Sequence, residues 1–133
     1  MPTRAKKIST NVASSNDTVS DGGIILRSNG DSAQFLYVCF KHISAADIQL
    51  QIKDRNTTVL AFASLGDLDF LNWFQNLTVY DDGNNILAVC QDATGKSVQL
   101  SYATTLYNTN KYVGIGSFTG TGATSFFTFR AWL

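Results

Sequence analysis

The sequence contains no glutamate; all ten of its acidic residues are aspartates. Glycoside hydrolysis generally sets two carboxyl groups across the scissile bond. The only close pairs here are Asp67/Asp69 and Asp81/Asp82, which read as a polar loop and a turn. An aspartate-based hydrolase remnant would have to use Asp67 or Asp69. Histidine occurs once, as His42, and no serine is framed as Gly-x-Ser-x-Gly, so a Ser-His-Asp triad has little to build on. Gly120-Thr121-Gly122 lacks the following Lys-Ser/Thr of a phosphate loop and reads as a turn. These shortages argue against an enzyme, and no cofactor is expected.

Other scarcities narrow the class further. Only 15% of residues are charged and the net charge is zero, which argues against nucleic-acid binding by a basic face. No apolar run approaches the ~18–20 residues of a membrane span. Met1–Ser20 lacks the apolar middle of a signal peptide, so the expectation is that either the mature chain starts here or export uses another route. The two cysteines, Cys39 and Cys90, each lie in an apolar run and read as buried thiols; spacing alone leaves a disulfide open. With no third soft ligand, a zinc site is not expected. The single proline, Pro2, leaves every later segment free to form hydrogen-bonded ladders.

What is present points to β structure. The chain is 44% hydrophobic, rich in β-branched and aromatic residues, and at 133 residues fits one domain. Ile48, Leu50 and Ile52 alternate with Gln49, Gln51 and Lys53; Val98, Leu100 and Tyr102 alternate with Gln99 and Ser101. Period two marks half-buried strands. Strands are expected near 23–28, 34–42, 47–53, 57–64, 73–80, 85–91, 97–103, 111–118 and 124–132, with one helical turn near Leu65–Leu71. Ser28-Asn29-Gly30-Asp31, Asp81-Asp82-Gly83-Asn84-Asn85 and Asp92-Ala93-Thr94-Gly95-Lys96 read as turns. Runs 35–40 and 126–132 are apolar on both faces, as in a strand covered from two sides. The fold class is an all-β antiparallel sandwich.

Residues 1–20 are polar and read as an extended arm before a sandwich domain of residues 21–133. Arg4, Lys6 and Lys7 make the arm's tip basic, leaving seven basic against ten acidic residues in the remainder. That tip is the candidate assembly contact. Candidate glycan contacts pair an aromatic with amides or carboxylates: Trp73 with Asn72 and Asp69, and Tyr107 with Asn108 and Asn110. Asp81, Asp82 and Asn84 are weak candidates for a Ca²⁺ site; a turn of that composition needs no ion.

Three stretches resemble the concanavalin A-like and laminin-G-like jelly rolls. They are Gly22-Gly23-Ile24-Ile25-Leu26-Arg27, the hairpin from Trp73 through Asp82-Gly83-Asn84 to Ile86–Val89, and the closing Tyr112-Val113-Gly114-Ile115-Gly116 and Phe126–Trp132 strands. The resemblance spans about residues 22–133 and implies a jelly-roll sandwich without its opening strands. The hydrolase members' glutamate motif is missing, so their activity is not implied. A shortened sandwich must cover its edges. The sequence-based expectation is therefore a non-enzymatic virion component, such as a capsid decoration or tail protein of a phage, located in the virion. Its partners would be copies of itself or other virion proteins. The alternative is a glycan-binding lectin or carbohydrate-binding module, extracellular or cytoplasmic, that takes a cell-surface glycan.

Overall fold

The computed structural model describes residues 6–14, 21–31, 33–44, 47–66, 68, 75–116 and 124–132. Among these are ten strands: β1 (Lys7–Ser14), β2 (Asp21–Ser28), β3 (Leu36–Ser44), β4 (Asp47–Asp54), β5 (Thr58–Ser64), β6 (Gln75–Asp81), β7 (Asn85–Asp92), β8 (Ser97–Ala103), β9 (Tyr112–Gly116) and β10 (Thr124–Trp132). They form two five-stranded antiparallel sheets, ordered β10-β1-β6-β7-β8 and β5-β4-β3-β2-β9. The two sheets pack face to face as a sandwich.

The period-two pattern explains the packing. Leu36, Val38 and Phe40 of β3, Ile48, Leu50 and Ile52 of β4, and Leu77 and Val79 of β6 all point into one core. Burying each such side chain contributes roughly 1.5–3 kcal/mol. The doubly apolar run at 35–40 also behaves as expected. Its other register, Phe35, Tyr37 and Cys39, is buried with Ile25 in a second cluster outside the sandwich core. The second doubly apolar run differs, because Phe129 and Trp132 are each 40% exposed.

All three expected turns form. Gly83 and Gly95 take φ of 92° and 94°, a region closed to most side chains, in the β6–β7 and β7–β8 hairpins. Asp82 and Asp92 fix these turns by accepting backbone N–H groups of Asn84 and Asn85, and of Thr94 and Lys96. Near Leu65 the described residues hold only a turn, with the Leu68 amide donating to the Leu65 carbonyl at 3.0 Å.

The start of the chain departs from expectation. Residues 7–14 are not a free arm but strand β1, inserted between β6 and β10. Ile8, Thr10 and Val12 are fully buried in the core layer. Ser9 and Asn11 face outward, where Ser9 meets Asn76 and Thr78 and Asn11 meets Asn76. This outward polar register masks the strand in a hydropathy reading. Lys6 and Lys7 are therefore built into the sheet. The Lys6 amide donates to the Trp132 carbonyl, and the Lys6 carbonyl accepts from the Asp81 amide. Arg4 lies outside the described residues. The missing-strand premise fails to that extent, because β1 supplies a strand where a gap was expected.

Both cysteines are free and buried. Cys90 belongs to the main core and Cys39 to the outer cluster, so they face different layers. Burial pushes the Cys90 thiol up to about 12, with Asp92 adding to the rise.

Candidate functional site at the edge of β2 and β9

Strand β2 departs from simple alternation near its end. Ile24 and Leu26 point inward, so Arg27 should point out. Its φ of 50° and a register irregularity against β9 between Ile25 and Ser28 turn it inward instead. Arg27 is fully buried. Its Nε donates to both Asp81 oxygens, at 3.3 and 3.0 Å, and Nη2 donates to Oδ1 at 2.7 Å. Nη1 donates to the carbonyls of Thr104 and Leu106 at 2.8 and 2.9 Å. One side chain thus ties β2, the end of β6 and the loop after β8 together.

This arrangement decides the Ca²⁺ candidate. Asp81 is turned inward onto Arg27 and accepts the Gly83 amide as well. Asp82 Oδ1 takes two backbone amides; these hold its carboxyl below the usual value, the Asn84 amide first. Both Asp81 oxygens thus serve the ion pair, and Asp82 Oδ1 serves the turn. Among the described residues no group of three or more His, Cys, Asp or Glu side chains is placed to hold a metal.

The loop aromatic also proves structural. Tyr107 has φ of 57°, its ring packs against the core, and its hydroxyl donates to Asp54 Oδ1 at 3.0 Å. Its phenol is raised above its ordinary value, first by burial and then by that hydrogen bond. Asn108 donates to the Gly83 carbonyl at 3.3 Å. Asn110 donates to the Arg27 carbonyl and to Gln34 Oε1, at 3.2 and 3.0 Å. Their polar ends hold the sandwich's end together, and all three residues are half-buried. Asp69, Asn72 and Trp73 lie outside the described residues, as does Asp67.

The open aromatic is one that sequence reasoning passed over. Tyr112, at the start of β9, is 59% exposed and lines a cavity of about 580 Å³ with Ile25, Ser28, Asn29, Asp31 and Gly114. β9 is an edge strand of its sheet, which leaves the ring one open side. The Ser28–Asp31 turn forms the polar wall. Ser28 Oγ accepts the Gly30 amide, Asn29 Oδ1 the Asp31 amide, and Asp31 Oδ1 the Ala33 amide. These contacts fix the wall while engaging Asn29 Oδ1 and one of the two Asp31 carboxylate oxygens. The Asn29 side-chain Nδ2 and the second Asp31 oxygen have no protein partner among the described residues. The same outer face continues across the sheet to Gln49, Gln51 and Lys53, with Phe62 of β5 62% exposed opposite Gln51.

No protein-family model and no curated protein matches the sequence. The fold does match solved structures. Chicken galectin 2 superposes with a TM-score of 0.52 at 11% identity, covering 94% of this chain and 88% of that one. A double mutant of congerin II gives 0.51 at 8% identity, covering 94% and 89%. The chain therefore shares the jelly-roll β-sandwich fold of these structures, the fold that the motif order implied.

Proposed function

We propose that this chain is a non-enzymatic glycan-binding domain whose saccharide sits in the cavity between the Ser28–Asp31 turn and Tyr112. The observation that carries this reading is the pairing of a 59% exposed tyrosine ring with a pre-formed amide–carboxylate wall in one cavity of about 580 Å³. A pyranose presents an apolar C–H face and equatorial hydroxyls. The first suits an aromatic face, and the second suit planar amide and carboxylate groups. The volume falls in the ordinary range for small-ligand sites, roughly 300–1,000 Å³. The wall is held by its own turn bonds, so binding requires little ordering. The lectin-like sandwich fold agrees with this reading.

The virion reading rested on a sandwich stripped of its opening strands. With β1 paired on both sides, no observation favours a shell role over glycan binding.

A broad array of neutral glycans is the first test, followed by calorimetry on the best binder. Binding is expected at millimolar affinity or tighter, about −4 kcal/mol or more favourable. Tyr112→Ala abolishes it while leaving the unfolding midpoint nearly unchanged, because an exposed edge residue carries little stability. A flat array, or full affinity in Tyr112→Ala, overturns the proposal.

A further inference from the structure

We infer that the opposite sheet carries a second, independent site, and that it takes an acidic saccharide. Its centre is Lys7 on β1. The register places Lys7 directly across from Trp132 on β10 and Tyr80 on β6, so the three side chains form one row on the outer face. The ammonium lies 4.6 Å from the Trp132 ring centre and 5.6 Å from the Tyr80 ring centre. Both rings remain open to solvent, at 40% and 42% exposure.

The charge balance of this row is what points to a ligand. The two ion pairs among the described residues are Arg27–Asp81 and Arg55–Asp54, and neither uses Lys7. Lys7 makes no side-chain hydrogen bond there either. Its charge is met only by ring faces, which leave the three N–H donors of the ammonium for an anionic oxygen. One further cation flanks the row, exposed Arg130, opposite Ser9 on the same face. Of the two acids that follow Tyr80 in sequence, Asp81 is paired with Arg27 and Asp82 has Oδ1 committed to the Asn84 and Asn85 amides.

The surroundings favour a sugar over other anionic partners. Ser9, Asn11, Asn76 and Thr78 form a hydrogen-bonded hydroxyl–amide network beside the row. A bilayer or a dry protein interface would desolvate that network at a cost, whereas a saccharide's hydroxyls extend it. A second copy of this chain on the same face would set Lys7 and Arg130 against their own kind. A pyranose stacked on the Trp132 indole, with its sulfate or carboxylate on Lys7, satisfies the rings, the charge and the network together.

The test uses the full chain and a heparin-derived hexasaccharide, with its desulfated counterpart as the neutral control, read by heteronuclear NMR titration. The sulfated probe is expected to shift Lys7, Tyr80 and Trp132 resonances, and to bind about tenfold or more weakly to Lys7→Gln and to Trp132→Ala. Amide dispersion certifies that each variant is folded; Lys7→Gln carries the test if Trp132→Ala loses its dispersion. Lys96→Gln, exposed on a distant turn, and Tyr112→Ala are expected to bind it normally, the latter separating this site from the one proposed above. Equal binding of the desulfated probe, equal weakening by Lys96→Gln, or no binding at all overturns the inference. So does capture by phosphatidylserine-containing vesicles through Lys7 and Trp132 without oligosaccharide binding, which would make the partner a lipid surface.

Discussion

Asp81→Asn is expected to be the most damaging single-atom exchange in the protein. Asn has the shape of Asp and can still accept the Arg27 Nη2 and Gly83 hydrogen bonds at Oδ1. What it lacks is the negative charge, and its amide sets a donor against Arg27 Nε where Oδ2 now accepts at 3.0 Å. Arg27 is fully buried and the Asp81 side chain is 1% exposed, so water cannot replace the lost partner. An uncompensated charge at such depth costs about 3–5 kcal/mol. Against a total stability of roughly 5–15 kcal/mol, that is about a fifth or more of the folding free energy. For a 133-residue domain it lowers the unfolding midpoint by about 11–18 °C. Urea unfolding followed by tryptophan fluorescence, with calorimetry alongside, measures the loss. The double variant Arg27→Met/Asp81→Leu is expected to recover part of it only, because it strips the Thr104 and Leu106 carbonyls of their donor and the Gly83 amide of its acceptor. An Asp81→Asn loss below about 1 kcal/mol would refute the reasoning, showing that water or rearrangement neutralises the guanidinium.

The remaining predictions concern titration and reactivity. The Tyr107 phenol is raised, first by burial and then by its bond to Asp54, so it stabilises the fold below its unfolded value of about 10. That contribution disappears as pH rises through the higher folded value. Tyr107→Phe is therefore expected to lower stability at pH 7 and to flatten the alkaline limb of a stability–pH curve; an unchanged alkaline limb contradicts it. Cys39 and Cys90 are both fully buried, and Cys90 is pushed up to about 12. Neither should react with an aromatic disulfide reagent at pH 8 in the native protein, and both should react in denaturant; rapid native reaction of either refutes this assignment.

The parts of the fold that the sequence reveals are those where period two meets a turn. Strands β2 to β10 fall where alternation, β-branched residues and Asp-Gly-Asn clusters place them. β1 escaped because Ile8 and Val12 are its only large apolar residues, and Thr10 takes the inward position between them. The Ile8, Thr10, Val12 period was there to be read. Arg27 escaped for a different reason. Alternation puts it outside, and only a positive φ at a non-glycine position sends it in to meet Asp81, 54 residues away. Tyr107 and Tyr112 could not be told apart as buried and exposed for want of similar information. Both follow turn-like stretches, and the difference is that one meets Asp54 while the other stands on an edge strand. No local pattern carries either fact.

Strand β1 also bears on how the chain is made. Its partners, β6 and β10, begin at Gln75 and Thr124, so β1 has no neighbour close to it in sequence. At ordinary synthesis rates of about 5–20 residues per second, it waits roughly 6–25 s for β10 to emerge. An apolar strand with two open edges would be an aggregation hazard over that interval. The Ser9 and Asn11 register that hides β1 from a hydropathy reading also keeps it soluble until the sheet closes around it.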